Sequence, residues 1–233
     1  MTTSASPFDN IADFLFEDRQ HIDGLAPADH RLVEIGCLLT LDCDSPELRS
    51  IYRQMLRAGP AAALLESILI HATGYLGVVR MRRAHHKFLA ELSGAKTTLS
   101  WPEEHAINPD RAQRVRSGSR LYDRFEPGRQ AVQAAKFEAL SPIYYPRAME
   151  LTGLVLAPSA LPPRERQIVT VAILSCLGGQ TEQLRFHIGV ARRCGVSRET
   201  LAGILILVQA YAGMPRANSA ASLALEVLDG DPE

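Results

Sequence analysis

An ungapped repeat constrains this chain more than any other feature of its sequence. Residues 25–92 lie over residues 161–228 in a single register. Leu25-x-Pro27 falls on Leu161-x-Pro163, Leu48-Arg49 on Leu184-Arg185, and Arg57-x-Gly59 on Arg193-x-Gly195. Further on, "LESILIHATGYLGVVR" (65–80) lies over "LAGILILVQAYAGMPR" (201–216), sharing a leucine, an Ile-Leu-Ile run, a tyrosine, a glycine and an arginine. About a quarter of the aligned positions are identical and most others keep their polarity. Helices of similar composition match by chance, but not with glycines, tyrosine and arginine in one register. The repeat predicts two copies of one structural unit, a diverged N-terminal copy within 1–105 and a C-terminal copy within 106–233.

Each copy reads as four helices. In the second, Pro163–Leu177 forms the first and Gly178-Gly179 ends it. Residues 181–194 form the next, with Thr181 as its capping residue and Gly195 as the left-handed residue after it. A third helix runs from an N-cap at Ser197 to about Tyr211. It is apolar nearly all round, which predicts a central position. Gly213 breaks the chain and Pro215 suits the first turn of a last helix through Leu228. The first copy follows the same plan, preceded by a helix across 8–20. Between the copies, a polar loop leads to Asp110, which caps a basic amphipathic helix reaching about Phe125, and a mixed segment follows. No strand pattern of convincing length occurs, so the expected fold is all-α.

Composition narrows the function classes. With 233 residues, 46% of them hydrophobic, the chain can bury a sizeable core. A net charge of −1 gives no electrostatic reason to expect nucleic acid or an anionic membrane as partner. The longest apolar stretches are too short to span a bilayer, and the first residues lack the basic start and apolar core of a secretory signal. A cytoplasmic protein is the expectation. Four cysteines, Cys37, Cys43, Cys176 and Cys194, show neither C-x-x-C nor zinc-like spacing and read as small buried hydrophobes. No metal and no cofactor is expected.

His187 is the residue most suggestive of chemistry. Leu184, His187, Ile188 and Ala191 follow the i, i+3, i+4, i+7 rhythm of one helix face, while Arg185, Arg192 and Arg193 lie off it. The imidazole is therefore aimed inward among apolar neighbours. A core histidine bonded to a carbonyl satisfies the same phase as a catalytic one.

The residues of the second copy resemble a known family. Leu161 to Arg166, Gln183-Leu184-Arg185-x-His187, Gly195-Val196 and Tyr211-Ala212-Gly213-x-Pro215 together look like the core of the carboxymuconolactone decarboxylase family. The prelude "DRAQRVRSGSRLYDRFEPGR" resembles the R-x-x-x-G helix that opens its single-domain members. The resemblance covers about residues 110–230, with a weaker copy over 9–92. It implies tandem alkylhydroperoxidase D-like helical units forming a pseudo-dimer. Because the family is usually a ring-like homohexamer built as a trimer of dimers, it also implies a homo-oligomer, a homotrimer of pseudo-dimers.

The chain also departs from its relatives. Where alkylhydroperoxidase D-like proteins carry the C-x-x-C before their histidine, Gln180 and Gln183 stand here, so a thiol–disulfide cycle has no resolving partner. Leu154 occupies the position where a decarboxylase of this kind is expected to carry an acid. In the first copy Ile51 stands opposite His187 and Val79 opposite Pro215, while Tyr52, His71, His85 and His86 are gained.

The resemblance therefore implies a cofactor-free lyase, decarboxylase-like, or an isomerase acting on a small unsaturated lactone or carboxylic acid. His187 would be the acid–base catalyst. Gln183, Tyr211, Arg216, His71 and Tyr144 are the substrate-binding candidates. Each has a plain alternative: solvent for Gln183, a structural hydroxyl bond for Tyr211, an exposed ion pair for Arg216, a core position for His71, and packing for the Tyr144-Tyr145 pair. Recruitment to a cyclisation or dehydration in secondary metabolism, or a non-catalytic helical scaffold, are the competing readings.

Overall fold

The computed structural model describes residues 6–8, 11, 22–59, 61–96, 98–99, 110–156 and 160–230. The helix expected across 8–20 and the middle of the polar loop before Asp110 lie outside the described residues for the most part. Among the described residues there are eleven α-helices and no strand. They are α1 (Pro27–Leu41), α2 (Pro46–Ala58), α3 (Ala62–Leu76), α4 (Val78–Gly94), α5 (Arg111–Phe125), α6 (Arg129–Glu138), α7 (Tyr144–Val155), α8 (Pro163–Leu177), α9 (Thr181–Arg193), α10 (Arg198–Ala212) and α11 (Met214–Gly230). None is long and apolar enough to cross a membrane.

Local chemistry explains most of the helix starts. Pro27 and Pro163 open α1 and α8, where a missing N–H costs nothing. Ser45, Asp110 and Ser197 cap α2, α5 and α10, each side chain accepting from a backbone N–H of the first turn. Thr181 does not cap α9. It is the first helical residue, and the cap position belongs to Gln180, whose side chain makes no cap bond. Gly178 and Gly179 both take positive φ, 69° and 72°, so the backbone turn sets the start of α9. At its other end Gly195 adopts φ 85°, as expected, and Val196 N–H bonds the Ala191 carbonyl at 3.0 Å.

In the register of the repeat, α3 falls on α10 and α4 on α11 residue for residue, and α1 on α8 likewise. The fourth pair, α2 and α9, has equal length and is offset by one residue. Packing groups these helices differently from their order in the repeat. One compact unit is formed by Met1–Asp42 with Pro163–Glu233, the other by Cys43–Pro162.

The first unit holds α1 and α8–α11. Its centre is α8, where every residue from Arg166 to Cys176 is buried. It packs against α1, α9, α10 and α11, which is why its apolar residues show no one-sided periodicity. The third helix of the copy, α10, is not the central one: Ile206 is 50% exposed, and Ala202 and Gln209 are exposed beside it. Helices α1 and α8 approach closely at Gly36, where a Cβ would stand 3.1 Å from the Ala172 Cβ and 3.2 Å from the Val169 carbonyl oxygen. Gly36 and Ala172 are equivalent residues of the repeat. The Arg164 guanidinium grips Asp29 through two parallel bonds of 2.8 and 2.7 Å, tying the first turns of the same two helices.

The second unit holds α2–α7. Tyr52, Phe88, Leu48, Leu65, Ile68 and Met149 are its most deeply buried large side chains, with the Tyr52 and Phe88 rings edge to face at 5.8 Å. Glu91 of α4 accepts from both Arg49 and Arg53 of α2. Helices α5 and α7 cross on two glycines: a Cβ on Gly118 would run into the Met149 carbonyl oxygen, and one on Gly153 into the Arg114 carbonyl oxygen. Glu150 fixes the register of this crossing by accepting from Arg114 at 2.6 Å and from Arg111 and Arg147 at 3.0 Å. Hydrogen bonds from Arg114 first, then from Arg111 and Arg147, outweigh partial desolvation and hold its carboxyl at about 2.

Three outcomes are expected. Gly118→Ala destabilises by about 3 kcal/mol or more, the upper end of overpacking costs, because the clash is with backbone. Gly94→Ala, with nothing within 4 Å of the added atom, stays within about 0.5 kcal/mol; urea unfolding measures both. The Glu150 carboxyl sits below its ordinary value of 4.5, so its contribution is complete above that pH and is lost as the pH falls towards about 2. Glu150→Gln should therefore flatten the fall of the urea midpoint between those two pH values.

Candidate functional site

The inward phase read from the sequence is the phase of α9. Leu184, His187, Ile188 and Ala191 are all buried, His187 at 9% exposure. What the sequence did not supply is the partner of the imidazole. His187 Nδ1 lies 2.9 Å from Oε1 of Gln167, a side chain only 1% exposed on α8. Helix α9 packs on α8 and α11, and the first helix of the C-terminal copy provides the contact that orients the ring. The Phe186 ring stands edge-on to the imidazole at 5.0 Å between centroids. A polar residue in the middle of an apolar helix was the signal for Gln167.

A second polar centre in the same unit was also missed. Glu34, a lone acid in the apolar run "RLVEIGCLL", is 2% exposed on α1. Its Oε1 accepts the Tyr211 hydroxyl at 2.9 Å, and its Oε2 accepts from Arg31 at 2.9 Å with His30 Nδ1 3.4 Å away. Burial alone would raise this carboxyl. The hydrogen bond and charge of His30, the Tyr211 hydroxyl and the charge of Arg31 together reverse that and leave it below its ordinary value. The Tyr211 hydroxyl thus donates to a carboxylate. Cys37, one turn beyond Glu34, lies beside Cys176 of α8, and burial pushes its thiol well up, which fits the inert role expected of both.

The remaining candidates are distributed between the units. In the first, Gln183 is exposed on α9, and Arg216 is exposed with its side chain laid along Gly178, Cγ and Nε both 3.6 Å from where a Cβ would be. An apolar groove of about 410 Å³ runs between α10 and α11, lined by Leu201, Leu205, Ile206, Ala221 and Leu225 among others; His187 is not among its lining residues. In the second, His71 is 1% exposed with its ring 5.2 Å from Tyr75. The tyrosine pair divides: Tyr145 is buried, and Tyr144 is half exposed against Phe137. His85, expected on a solvated basic face, pairs with Glu66 at 2.9 Å. Among the described residues no group of three or more His, Cys, Asp or Glu side chains is placed to hold a metal ion.

Comparison with known proteins bears on this segment. Residues 142–226 match the carboxymuconolactone decarboxylase family. Over 75 residues the chain is 36% identical to a 4-carboxymuconolactone decarboxylase of Acinetobacter baylyi (strain ATCC 33305 / BD413 / ADP1). That alignment covers 32% of this chain and 55% of the relative, so the chain spans about half the length of the protein it matches. The matched family segment includes α8 and α9, and hence both Gln167 and His187.

Removing the Tyr211 hydroxyl deprives a buried carboxylate of one donor while leaving its other partners. Tyr211→Phe is expected to lower stability by about 1–3 kcal/mol, read from urea unfolding at neutral pH.

Proposed function

We propose that the chain is a cofactor-free enzyme of the carboxymuconolactone decarboxylase type, a carbon–carbon lyase or isomerase acting on a small unsaturated lactone or carboxylic acid. The observation that carries the reading is His187, buried on α9, oriented by Gln167 and lying within the family-matched segment. Loss of CO2 from an unsaturated lactone acid, or a proton shift along one, passes through a dienolate that the ring carbonyl can hold. The protein must position the carboxylate or lactone and move one proton to or from carbon. An imidazole is the side chain whose ordinary titration range suits that task at neutral pH. Leu184 and Ile188, buried on the same face of α9, supply apolar surroundings of the kind that keep water from a reacting carbon.

Within the same proposal the chain is a tandem duplication. The support is the coincidence of helix boundaries across the repeat and the meeting of the equivalent residues Gly36 and Ala172. In this reading the N-terminal copy, with Ile51 opposite His187, has lost the histidine site.

A non-catalytic scaffold is the competing reading, favoured by the burial of His187 and by its absence from the lining of the α10–α11 groove. One experiment separates the two. The purified chain is incubated with a panel of unsaturated acids and lactones, and mass spectrometry follows loss of CO2 or an isomer of unchanged mass. His187→Gln should keep the helical circular dichroism of the parent and lower turnover by about 10²–10⁴-fold. Full turnover in that variant would place the acid–base role on another residue, and a panel with no substrate would favour the scaffold.

A further inference from the structure

The apolar groove between α10 and α11 stands open, whereas its counterpart in the register of the repeat is covered. Ile206 and Leu225 on its walls are half exposed, and alanines at 217, 221 and 224 line it. Ala202, Ile206 and Gln209, all exposed, match Glu66, Ile70 and Thr73 of α3, all half-buried. We propose that the groove is a docking surface for the chain's own residues 8–19, seated there as an amphipathic helix.

The occupant follows from what covers α3. Helix α7 packs on α3, with Val155 Cγ2 3.2 Å from where a Cβ on Gly74 would stand. The register that carries 161–228 onto 25–92 carries α7, residues 144–155, onto residues 8–19, where the sequence predicts a helix. The chain that follows each stretch meets the same position of a third helix. Ala160 N–H donates to Ser67 Oγ at 3.0 Å. At Gly203, the match of Ser67, a Cβ would lie 2.9 Å from Leu25 Cβ and 3.4 Å from Ile22 Cγ2.

Reach and length agree with this. Gly24 lies against the Glu199 backbone at the start of α10, and Ile22 lies against Gly203, one turn further on. Traced back from Leu25, the chain therefore runs along α10 towards its C-terminal end. Three residues reach about 10 Å when extended. That is about the helical rise from Gly203 to Ala210, the match of Gly74. As a helix, residues 8–19 are about 18 Å long, against about 17 Å for the stretch of α10 from Arg198 to Gln209 that lines the groove.

The side chains are complementary. Phe8, Ile11, Ala12 and Leu15 fall at i, i+3, i+4 and i+7, the anchor spacing of a helix laid into a groove, and leave Asp9, Asp13 and Glu17 on the other side. The groove has Ala224 where the α3–α4 pair has the fully buried Phe88. Large apolar residues on the segment thus meet small ones in the groove. Phe8 and Ile11 are exposed, as is Ile206, so docking removes apolar surface from water on both sides.

Two measurements on the full chain test the proposal. Isotope-edited NOE spectra of methyl-labelled protein, assigned with Phe8→Leu, Phe16→Leu and Ile206→Val, should connect the Phe8 or Phe16 ring to methyls of Leu205, Ile206 or Leu225. In a mixture of chains labelled only at phenylalanine with chains labelled only at methyls, these cross-peaks should vanish. Cross-peaks that persist show a second copy supplying the segment and overturn the assignment to the same chain. Limited trypsin digestion gives the second reading. Cleavage after Arg19 should be about 10-fold faster in Leu15→Asp than in the parent, because proteolysis follows the population of the open form. Cleavage after the exposed Lys96 should be unchanged. Ala202→Glu combined with Ala221→His, which reproduces the Glu66–His85 pair inside the groove, should release Arg19 in the same way. Equal Arg19 cleavage in parent and variants, or no ring-to-methyl cross-peak in the parent, overturns the proposal. If the variants fail to fold, the spectra of the parent still decide.

Discussion

The close crossing of α1 over α8 at Gly36 and Ala172 is the contact on which the first unit depends. It encloses α8 on the side that α9, α10 and α11 leave open, and so makes every position from Arg166 to Cys176 an interior one. Burying a long polar side chain on an interior helix is costly unless a partner meets it. Gln167 meets His187, and the ring is thereby oriented by the same helix that forms the centre of the core. The α1 helix that closes this core also brings Glu34, whose carboxylate receives Tyr211 from α10. Both polar centres are consequences of how tightly two helices pack, and Gly36 sets that distance.

How much of this was legible in the sequence depends on the range of the physics involved. Helix starts at Asp110 and Ser197 are decided within four residues, and the chain shows them. The inward aim of His187 is decided by a periodicity within one helix, and it too was readable. Its partner was not, because Gln167 lies twenty residues away, on a helix whose apolar residues surround it and leave no face to assign. Glu34 was hidden for the same reason, an acid in an apolar run that only tertiary packing reveals as fully partnered. Thr181 misled locally: threonine is a good cap, but the two left-handed glycines before it already dictate where α9 begins.

Helices that match in the register of the sequence repeat carry different interiors. In its register the alanines Ala202, Ala221 and Ala224 of the α10–α11 pair correspond to Glu66, His85 and Phe88 of the α3–α4 pair. The first set leaves a groove of about 410 Å³. In the second, Phe88 is fully buried and Glu66 and His85 bond each other at 2.9 Å, so side chains occupy the equivalent volume. Helix lengths agree between the two pairs while the volumes between their helices differ. That pattern is expected when backbone geometry is held by small residues and caps at a few positions and packing is free to vary elsewhere.

The two polar centres of the first unit also differ in kind, and the difference follows from what burial demands. A buried carboxylate loses its hydration and must be surrounded by donors and positive charge. Glu34 accordingly gathers Arg31, His30 and Tyr211, and it is bound to a fixed charged state. A buried amide meeting a buried neutral imidazole needs one hydrogen bond between them and no counter-charge. That pair can sit deep in the core with the polar atom of each side chain meeting the other at 2.9 Å. Glu34 therefore draws partners from α1 and α10 together, whereas Gln167 and His187 join α8 to α9 through a single contact.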